Sequence, residues 1–308
     1  MKTLIQKILF GVATGDALGV PVEFEDRKDL KENPVTEMQE YGTYDEPKGT
    51  WSDDTSLTLC LAESIAEGLD LQKLANKFIA WKNDNYWTPN GWVFDIGIGT
   101  RIAIENLETG IDPELAGGNS ENDNGNGSLM RILPLIVHTK NLPIDERFEI
   151  TKKVSSLTHR HIRSVIACFY YLEFAKQIIE GIDKFEIYQN LKTTVADFLF
   201  QNQTDEQEIQ NFNRLLNENI FEFPEDQIRS SGYVVHSLEA SIWCLLTTSN
   251  YKDAVLKAVN LGEDTDTTAA ITGGLAGLLY GVEGIPIEWI NVLARKNDID
   301  ELIEKFNF

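Results

Sequence analysis

Residues 2–23 read KTLIQKILFGVATGDALGVPVE and carry a clear helical signal. Apolar residues recur with the 3.6-residue period of an α-helix, and Pro21 marks the end of the run. Gly11, Gly15 and Gly19 recur every four residues, so they line one stripe of such a helix. A stripe without side chains lets a neighbouring backbone approach closely. The stretch therefore predicts a helix in tight contact with a second one.

The same helical periodicity continues along the chain, without the sustained apolar/polar alternation of a sheet. The other predicted helices cover residues 55–66, 71–81, 96–107, 144–157, 162–179, 184–199, 206–216, 234–246, 251–261, 267–279 and 287–294. We therefore expect an all-α fold, a compact helical bundle. No linker divides the chain, so residues 1–308 are expected to form a single domain, with a peripheral polar insertion at about 201–230.

The composition excludes several classes of protein. The chain has 308 residues, 42% of them hydrophobic, and a formal net charge of −22. That charge disfavours direct binding to nucleic acid or to an anionic membrane, and the sequence lacks a long uninterrupted apolar run. The unclustered cysteines Cys60, Cys168 and Cys244 favour reduced core residues in a cytoplasmic protein. We expect a monomer without a signal peptide.

Two short acidic clusters lie far apart in the sequence, each after a glycine and before an apolar helix. They are Ser52-Asp53-Asp54-Thr55 and Glu263-Asp264-Thr265-Asp266-Thr267-Thr268. Adjacent carboxylates repel and are costly to bury unless a cation lies between them. Carboxylate and hydroxyl oxygens without cysteine favour hard cations such as Mg²⁺, Mn²⁺ or Ca²⁺. One site built from both clusters is predicted; the alternative is that these residues only cap helices and complement their dipoles.

Four further features have both a functional and a purely structural interpretation. Glu23, at the exit of the first helix, is either a proton donor, acceptor or metal ligand, or a solvated helix-end carboxylate. The loop Asp123-Asn124-Gly125-Asn126-Gly127 is either a backbone nest for a phosphate or a common turn. His159 either contacts a ligand or a carboxylate, or it caps a helix. Gly232 and Tyr233 either contact a ligand or, in the case of Tyr233, anchor the core.

Taken together, these motifs resemble those of the ADP-ribosylglycohydrolases. The motifs, in the order seen in that family, are Gly15-Asp16-Ala17-Leu18-Gly19 with Glu23, Trp51-Ser52-Asp53-Asp54-Thr55, Gly125-Asn126-Gly127-Ser128-Leu129-Met130-Arg131, Thr158-His159, Gly232-Tyr233-Val234 and Gly262-Glu263-Asp264-Thr265-Asp266-Thr267. The family includes dinitrogenase-reductase-activating glycohydrolases and the hydrolases of ADP-ribosylarginine and ADP-ribosylserine. Six motifs in matching order make the resemblance specific.

The resemblance implies an orthogonal α-helical bundle around a two-metal site, with two Mg²⁺ or Mn²⁺ ions as cofactors. By motif position the metal ligands are Ser52, Asp53, Asp54, Asp264, Asp266 and Thr267. The residues expected to contact the substrate are Asp123, Asn124, Gly125, Asn126, Gly127, His159, Gly232 and Tyr233. The candidate catalytic residues are Glu23, Asp54 and Asp264. Which of them moves the proton stays open, although metal-bound aspartates are poor bases.

The implied activity is metal-dependent hydrolysis of the glycosidic bond between ADP-ribose and an acceptor, which reverses ADP-ribosylation. The partner would be ADP-ribose or an ADP-ribosylated substrate. One alternative is a non-catalytic ADP-ribose-binding or toxin-blocking immunity protein on the same scaffold. Another is a different two-metal hydrolase, such as a nucleotide phosphodiesterase. The sequence does not choose the acceptor, which could be arginine, serine, a nucleic-acid base or a small molecule.

Overall fold

The computed structural model describes residues 1–306, which form helices, turns and loops without a β-strand. The α-helices are α1 (Lys2–Gly19), α2 (Arg27–Glu32), α3 (Asp53–Ala66), α4 (Leu71–Asp84), α5 (Ile98–Glu108), α6 (Ile136–Thr139), α7 (Ile144–Ser156), α8 (Ile162–Ile179), α9 (Lys184–Gln201), α10 (Glu206–Gln210), α11 (Asn213–Leu216), α12 (Val234–Leu246), α13 (Tyr251–Val259), α14 (Thr265–Tyr280), α15 (Ile287–Asn291) and α16 (Lys296–Glu304). The predicted all-α class is confirmed.

Helices α1 and α14 form the central pair of the fold. Their backbones approach along the glycine stripe, where Gly11 faces Gly273 and Gly15 faces Ala269. Gly19 then faces Asp266, so the two helices run in opposite directions. As a result, the amino end of α14 lies beside the carboxyl end of α1, where the chain continues through a 3₁₀ turn over Val20–Val22. The predicted close contact of this helix is thereby explained.

The other helices surround this pair. Helix α3 packs against both α1 and α14, which brings its amino end to the same place as the amino end of α14. Helices α12 and α13 cover α14, while α8 contacts both α12 and α14. Helix α16 packs against α1 and α3. Three helix ends, those of α1, α3 and α14, therefore meet at one point of the molecule.

Several predicted boundaries differ from the observed ones. The segment between residues 25 and 52, for which no helix is predicted, contains α2 and a 3₁₀ turn over Gly42–Tyr44. The single helix predicted over 206–216 is two short helices, α10 and α11, and the carboxyl-terminal helix α16 was not predicted. These helices are short, so their sequences are too brief to show a long amphipathic pattern. Their buried side chains are stabilised by packing into the shared core.

The segment 201–230 contributes to the core despite its polar composition. Phe212, Leu215 and Ile220 are fully buried. Its end is held by Arg27, whose guanidinium donates hydrogen bonds to the carbonyl oxygens of Ile228 (2.6 Å) and Leu261 (2.6 Å). Its status as an insertion stays a prediction, but its last residues are tied to the segment that leads into α14.

Helix α1 and the turn that follows it form a stretch long and apolar enough to cross a membrane by those two criteria alone. The stretch, Lys2–Val22, is however 78% buried inside the protein. Its contacts with α14 account for its apolar character, because a central helix must present apolar surface all round. The stretch is explained as a core helix.

The close contact of α1 with α14 makes Gly15 sensitive to substitution. A methyl group at Gly15 would lie 2.7 Å from the carbonyl carbon of Ala269, so the two backbones would have to move apart. We expect Gly15→Ala to lower the free energy of unfolding by about 3 kcal/mol, measured by urea denaturation. Gly97→Ala is the control, because its methyl would meet only the Thr100 hydroxyl, at 3.8 Å. An equal loss in both variants would contradict this explanation.

Candidate active site at the meeting of three helix ends

The amino end of α3 is held by a buried carboxylate from α1. Asp16 Oδ1 accepts the backbone N–H of Ser52 (2.9 Å), and its Oδ2 accepts the N–H (3.0 Å) and hydroxyl (2.5 Å) of Thr55. Ser52 caps the helix, since its Oγ accepts the N–H of Asp54 at 3.2 Å. The capping interpretation is therefore correct for Ser52. Asp53 and Asp54 occupy the first turn, where the helix dipole favours negative charge.

The amino end of α14 reaches the same place from the other side. The Thr267 hydroxyl donates to Asp54 Oδ1 at 3.3 Å, which directly joins the two acidic clusters. Within α14, the N–H of Thr267 lies 2.8 Å from Asp266 Oδ1. Asp264 is the residue immediately before the first turn of α14. The structure thus brings together the two clusters that the sequence predicted to form one site.

Two sets of three carboxyl groups each bring one oxygen per residue together, and within a set these oxygens lie within 4.8 Å of one another. One set is contributed by Asp16, Asp54 and Asp266, and the other by Glu23, Asp95 and Asp266. Asp266 belongs to both sets, so the acidic cluster is continuous. It also includes Asp53, whose pKa is raised well above its ordinary value by burial and then by the charge of Asp95.

Burial and mutual repulsion raise the pKa values in this cluster. Burial, followed by the charges of Asp16 and Asp53, raises the pKa of Asp54 well above its ordinary value. Burial raises the pKa of Asp16 to about 6, against the hydrogen bonds from Thr55 and Ser52. The pKa of Glu23 is raised to about 9 by burial and by the charge of Asp95. Without a positive charge nearby, the cluster would hold protons at neutral pH.

The donor set fits a divalent cation. Asp54 Oδ2 is buried and has no hydrogen-bond partner among residues 1–306. Within the same range, the hydrogen bonds to this carboxylate and to its neighbours Asp16, Asp264 and Asp266 come from hydroxyl, amide and backbone groups, not from basic side chains. Oxygen-only ligands with this charge suit Mg²⁺ or Mn²⁺. The buried acidic cluster can therefore bind metal.

Glu23 is positioned by its backbone as much as by its side chain. Phe24 and Glu263 both have left-handed backbones, with φ of 68° and 62°. The Phe24 N–H donates to the Glu263 carbonyl (2.7 Å), and the Glu263 N–H donates to Glu25 (2.9 Å). The Tyr44 hydroxyl donates to Glu23 Oε2 at 2.6 Å. This arrangement holds the carboxyl beside Asp266 and excludes a freely solvated helix-end carboxylate.

The Gly/Asn loop and the segment before α12 lie side by side at the edge of the acidic cluster. The Asn126 N–H donates to the Gly232 carbonyl (3.1 Å), and the Val234 N–H donates to the Asn124 carbonyl (3.0 Å). The Asn126 amide group donates to Asp264 Oδ2 at 2.7 Å. A methyl group at Gly232 would lie 3.2 Å from that same oxygen. Two motifs that are distant in sequence therefore form one wall beside Asp264.

His159 lies behind this wall. It is 4% exposed, and its ring faces Gly125 and Gly127, where added methyl groups would approach it to 3.2 and 2.7 Å. Burial lowers the pKa of His159 to about 3, helped by the charge of Arg131. Capping is performed by His161 instead, whose Nδ1 accepts the Arg163 N–H at 3.3 Å. His159 is thus a neutral, enclosed side chain next to the glycine loop.

Other predicted site residues make contacts outside the acidic cluster. Asp123 Oδ2 accepts the N–H (2.8 Å) and hydroxyl (2.6 Å) of Ser120, within its own loop. The Asn124 amide group donates to the Glu121 carbonyl at 3.0 Å. The half-buried Tyr233 ring packs edge-on against His236, with centroids 4.9 Å apart. These three side chains border the wall without reaching the carboxylates.

Three residues of the site were not assigned from the sequence: Asp16, Asp95 and Tyr44. Asp16 stood in a quoted motif but looked like an ordinary helix residue. Asp95 is an isolated acid in the apolar stretch 92–98, which was the one available signal. Tyr44 lies between residues 25 and 52, where no helix is predicted, and gave no signal. Their proximity depends on the fold, because each lies on a different element from the two clusters.

An aromatic rim lies outside Glu23 and Asp95. The ring of Tyr44 packs against Phe94 with centroids 4.9 Å apart and against Phe24 at 6.5 Å. Phe24 is 68% exposed, so the rim faces solvent. Aromatic faces beside carboxylates favour a cationic group by charge and by cation–π contact. The opening of the site is therefore suited to a positively charged ligand group.

Comparison with known proteins agrees with this geometry. A family model described as ADP-ribosylglycohydrolase matches residues 2–307. The ADP-ribosylarginine hydrolase Tri1 of Pseudomonas putida (strain GB-1) is 34% identical over 303 residues, which cover 96% of this chain and 76% of that protein. The ADP-ribosyl-[dinitrogen reductase] glycohydrolase of Rhodospirillum rubrum is 28% identical over 298 residues, which cover 93% of this chain and 88% of that protein.

A solved structure shows the same fold. It is an ADP-ribosylglycohydrolase-related protein complex, which superposes with a TM-score of 0.81 at 28% identity. The match covers 99% of this chain and 96% of that one. The whole described chain therefore shares its architecture with this structure.

Proposed function

Because the chain belongs to the ADP-ribosylglycohydrolase family, we propose that it releases ADP-ribose from the guanidinium group of arginine side chains. The broader activity follows from membership: the chain is an ADP-ribosyl glycohydrolase, as the sequence motifs predicted. The relatives are named as hydrolases, so the non-catalytic alternative receives no support. The observation that carries the proposal is the hydrogen bond between Thr267 and Asp54, which joins both acidic clusters at one point.

We further propose that this cluster holds two divalent cations, Mg²⁺ or Mn²⁺. The residues that would hold them are Ser52, Asp53, Asp54, Asp264, Asp266 and Thr267, and the unpartnered Asp54 Oδ2 supports this assignment. When bound, such cations supply positive charge that orients ribose hydroxyls and lowers the pKa of a water molecule. Asp16 supports the set from behind, because its oxygens already accept hydrogen bonds from Ser52 and Thr55.

The loops would bind and orient the ADP-ribose. Backbone N–H groups of the Gly/Asn loop suit the oxygens of a diphosphate. Because Gly232 has no side chain, it leaves room for the ligand to approach Asp264. Asn126 donates to Asp264, which fixes that carboxylate at the edge of the wall. These contacts would place the anomeric carbon of the distal ribose near Asp264 and Asp266.

Glu23 is the proposed proton carrier. In the reaction, an oxygen–carbon bond forms between water and the anomeric carbon while the carbon–nitrogen bond to the guanidine breaks. The water loses a proton, and the departing nitrogen gains one. The carboxyl of Glu23 lies in one set with those of Asp95 and Asp266 and accepts a hydrogen bond from Tyr44. We assign the cations to the aspartates and hydroxyls of the two acidic clusters and the proton to Glu23. A side chain free of ligation is better suited to move a proton.

The aromatic rim supports arginine as the acceptor. A guanidinium group carries positive charge and a flat face, and it would lie between Asp95 and the rings of Tyr44 and Phe94. A serine acceptor would bring neither feature. The name of the relatives at 34% identity agrees with this choice.

The acceptor can be tested with a matched pair of peptides that carry ADP-ribose on arginine or on serine. We expect release of free ADP-ribose from the arginine peptide to be at least about a hundredfold faster in kcat/KM, and to stop when a chelator removes divalent cations. Faster release from the serine peptide would overturn the proposed acceptor. Release that persists after chelation would overturn the proposed cation site.

We also propose a monomeric, cytoplasmic enzyme. The cysteines Cys60, Cys168 and Cys244 are all free and buried, which agrees with a reducing compartment.

A further inference from the structure

We propose that Arg131 and Thr158 are positioning residues that fix His159 as the neutral tautomer protonated on Nε2, which presents this N–H to the substrate. The inference concerns the substrate-binding wall and therefore rests on the proposed function. The guanidinium group of Arg131 is buried in the core without a carboxylate partner among the described residues.

Arg131 is fully buried, and no carboxylate among residues 1–306 pairs with it. Its Nη2 donates to Thr158 Oγ1 (2.8 Å) and to the Val154 carbonyl (3.2 Å), while Nε and Nη1 have no partner among the same residues. A guanidinium group is always a donor and never an acceptor. Thr158 Oγ1 must therefore accept the hydrogen bond from Arg131.

The Thr158 hydroxyl has a second contact, with His159 Nδ1 at 3.0 Å. Its oxygen accepts from Arg131, so its single proton is free to be donated to His159 Nδ1. If Nδ1 carried the ring proton instead, the hydroxyl proton of the buried Thr158 would have no acceptor among the described residues. A buried donor without a partner is costly, so the chain selects an unprotonated Nδ1 and a proton on Nε2.

The doubly protonated ring is disfavoured for separate reasons. His159 is buried and lies near the charge of Arg131, and both effects oppose a second positive charge. Asp123, the acidic group that acts on the ring in the opposite direction, has the weakest influence of the three. The ring is thus a neutral donor with one defined N–H.

The Nε2 atom faces Gly99, in the first turn of α5, and Gly125, in the Gly/Asn loop. Added methyl groups at Gly99 and Gly125 would lie 3.1 and 3.2 Å from Nε2, so the absence of side chains at both positions leaves space in front of it. Among residues 1–306, the imidazole ring makes its hydrogen bond through Nδ1, to Thr158, and not through Nε2. The loop that contains Gly125 continues into Asn126, which contacts Asp264 of the acidic cluster. The N–H is therefore available to an oxygen atom of the diphosphate or of a ribose.

The tautomer can be observed directly in protein labelled with ¹⁵N-histidine, from two-bond ¹H–¹⁵N correlations of the imidazole rings. The chain has four histidines, and His159→Gln assigns the ring of interest. We expect His159 to carry its proton on Nε2 and this resonance to move on addition of ADP-ribose with Mg²⁺. In Thr158→Val, the Nδ1-protonated form should become detectable and the Kd for ADP-ribose should rise about tenfold.

Two variants provide controls. Thr158→Ser keeps the hydroxyl and should restore the parent spectrum and affinity. Thr139→Val removes another buried hydroxyl, one that bonds only to the Leu135 carbonyl, and should change neither property. A parent ring protonated on Nδ1, or a Thr158→Val protein with unchanged spectrum and affinity, would overturn the inference. Failure of arginine-peptide cleavage with the expected tautomer intact would instead count against the proposed function.

Discussion

The Asp54→Asn variant is expected to release ADP-ribose about a thousandfold more slowly than the parent chain, a loss of about 4 kcal/mol in transition-state stabilisation. Asparagine has nearly the same shape as aspartate, so the fold should persist. Its amide oxygen can still accept the hydrogen bond from Thr267, which now ends on Asp54 Oδ1 at 3.3 Å. The amide N–H₂ group then takes the place of Oδ2, the oxygen that has no protein partner.

The replacement therefore removes an acceptor and inserts a donor at the proposed cation position, a much larger change than the loss of one charge. The measurement is the rate of ADP-ribose release from the arginine peptide across a series of Mg²⁺ and Mn²⁺ concentrations. Asp29→Asn is the control, because this substitution removes the same charge at an exposed position in α2. Full cation-dependent activity in Asp54→Asn would show that this carboxylate is not a ligand.

Much of this site could be predicted from the chain because its residues stand in local motifs. Asp53 and Asp54 open α3, and Asp264 and Asp266 lie at the start of α14, so repeated acid at two helix starts was visible without a structure. The glycine stripe of α1 likewise indicated a close helical partner. Helix periodicity and motif spacing are local properties, which a single sequence records.

The site residues that could not be predicted from the sequence depend on contacts between distant segments. Asp16 gains its position from hydrogen bonds to Ser52 and Thr55, and Asp95 from its approach to Asp53. Nothing local marks either as part of an acidic cluster. Short helices were missed for a related reason. Helix α16 is stabilised by burial of Ile299, Leu302 and Ile303 where it packs against α1 and α3, not by its length.

The second large effect concerns stability, because the acidic cluster opposes folding when no cation is bound. Burial and neighbouring charges raise the pKa of Asp54 and Asp266 well above their ordinary values, and that of Glu23 to about 9. The folded protein without cations therefore binds more protons than the unfolded chain between about pH 4 and pH 9. By linkage, its stability is greatest at the acidic end of this window and falls as the pH rises.

A bound cation should reverse this loss, since it binds the folded cluster and not the unfolded chain. At a concentration of about 100 times Kd, one cation adds about 2.7 kcal/mol, which for a protein of this size corresponds to an increase in Tm of about 5 °C. We expect that difference at pH 8 between protein with Mg²⁺ or Mn²⁺ and protein stripped by chelation, measured by scanning calorimetry. The difference should shrink toward pH 5, where protons replace the cation.

Asp54→Asn separates this explanation from a general effect of salt. The variant removes one buried negative charge, so in chelator at pH 8 it should unfold at a higher temperature than the parent, while its response to cations becomes small. Asp29→Asn should follow the parent in both conditions. A stripped Asp54→Asn protein less stable than the stripped parent would contradict the proposed repulsion. Asp54→Asn is therefore expected to raise the stability of the stripped protein and to lower its activity. Both effects follow because the charges of the cluster bind cations and oppose folding when no cation is present.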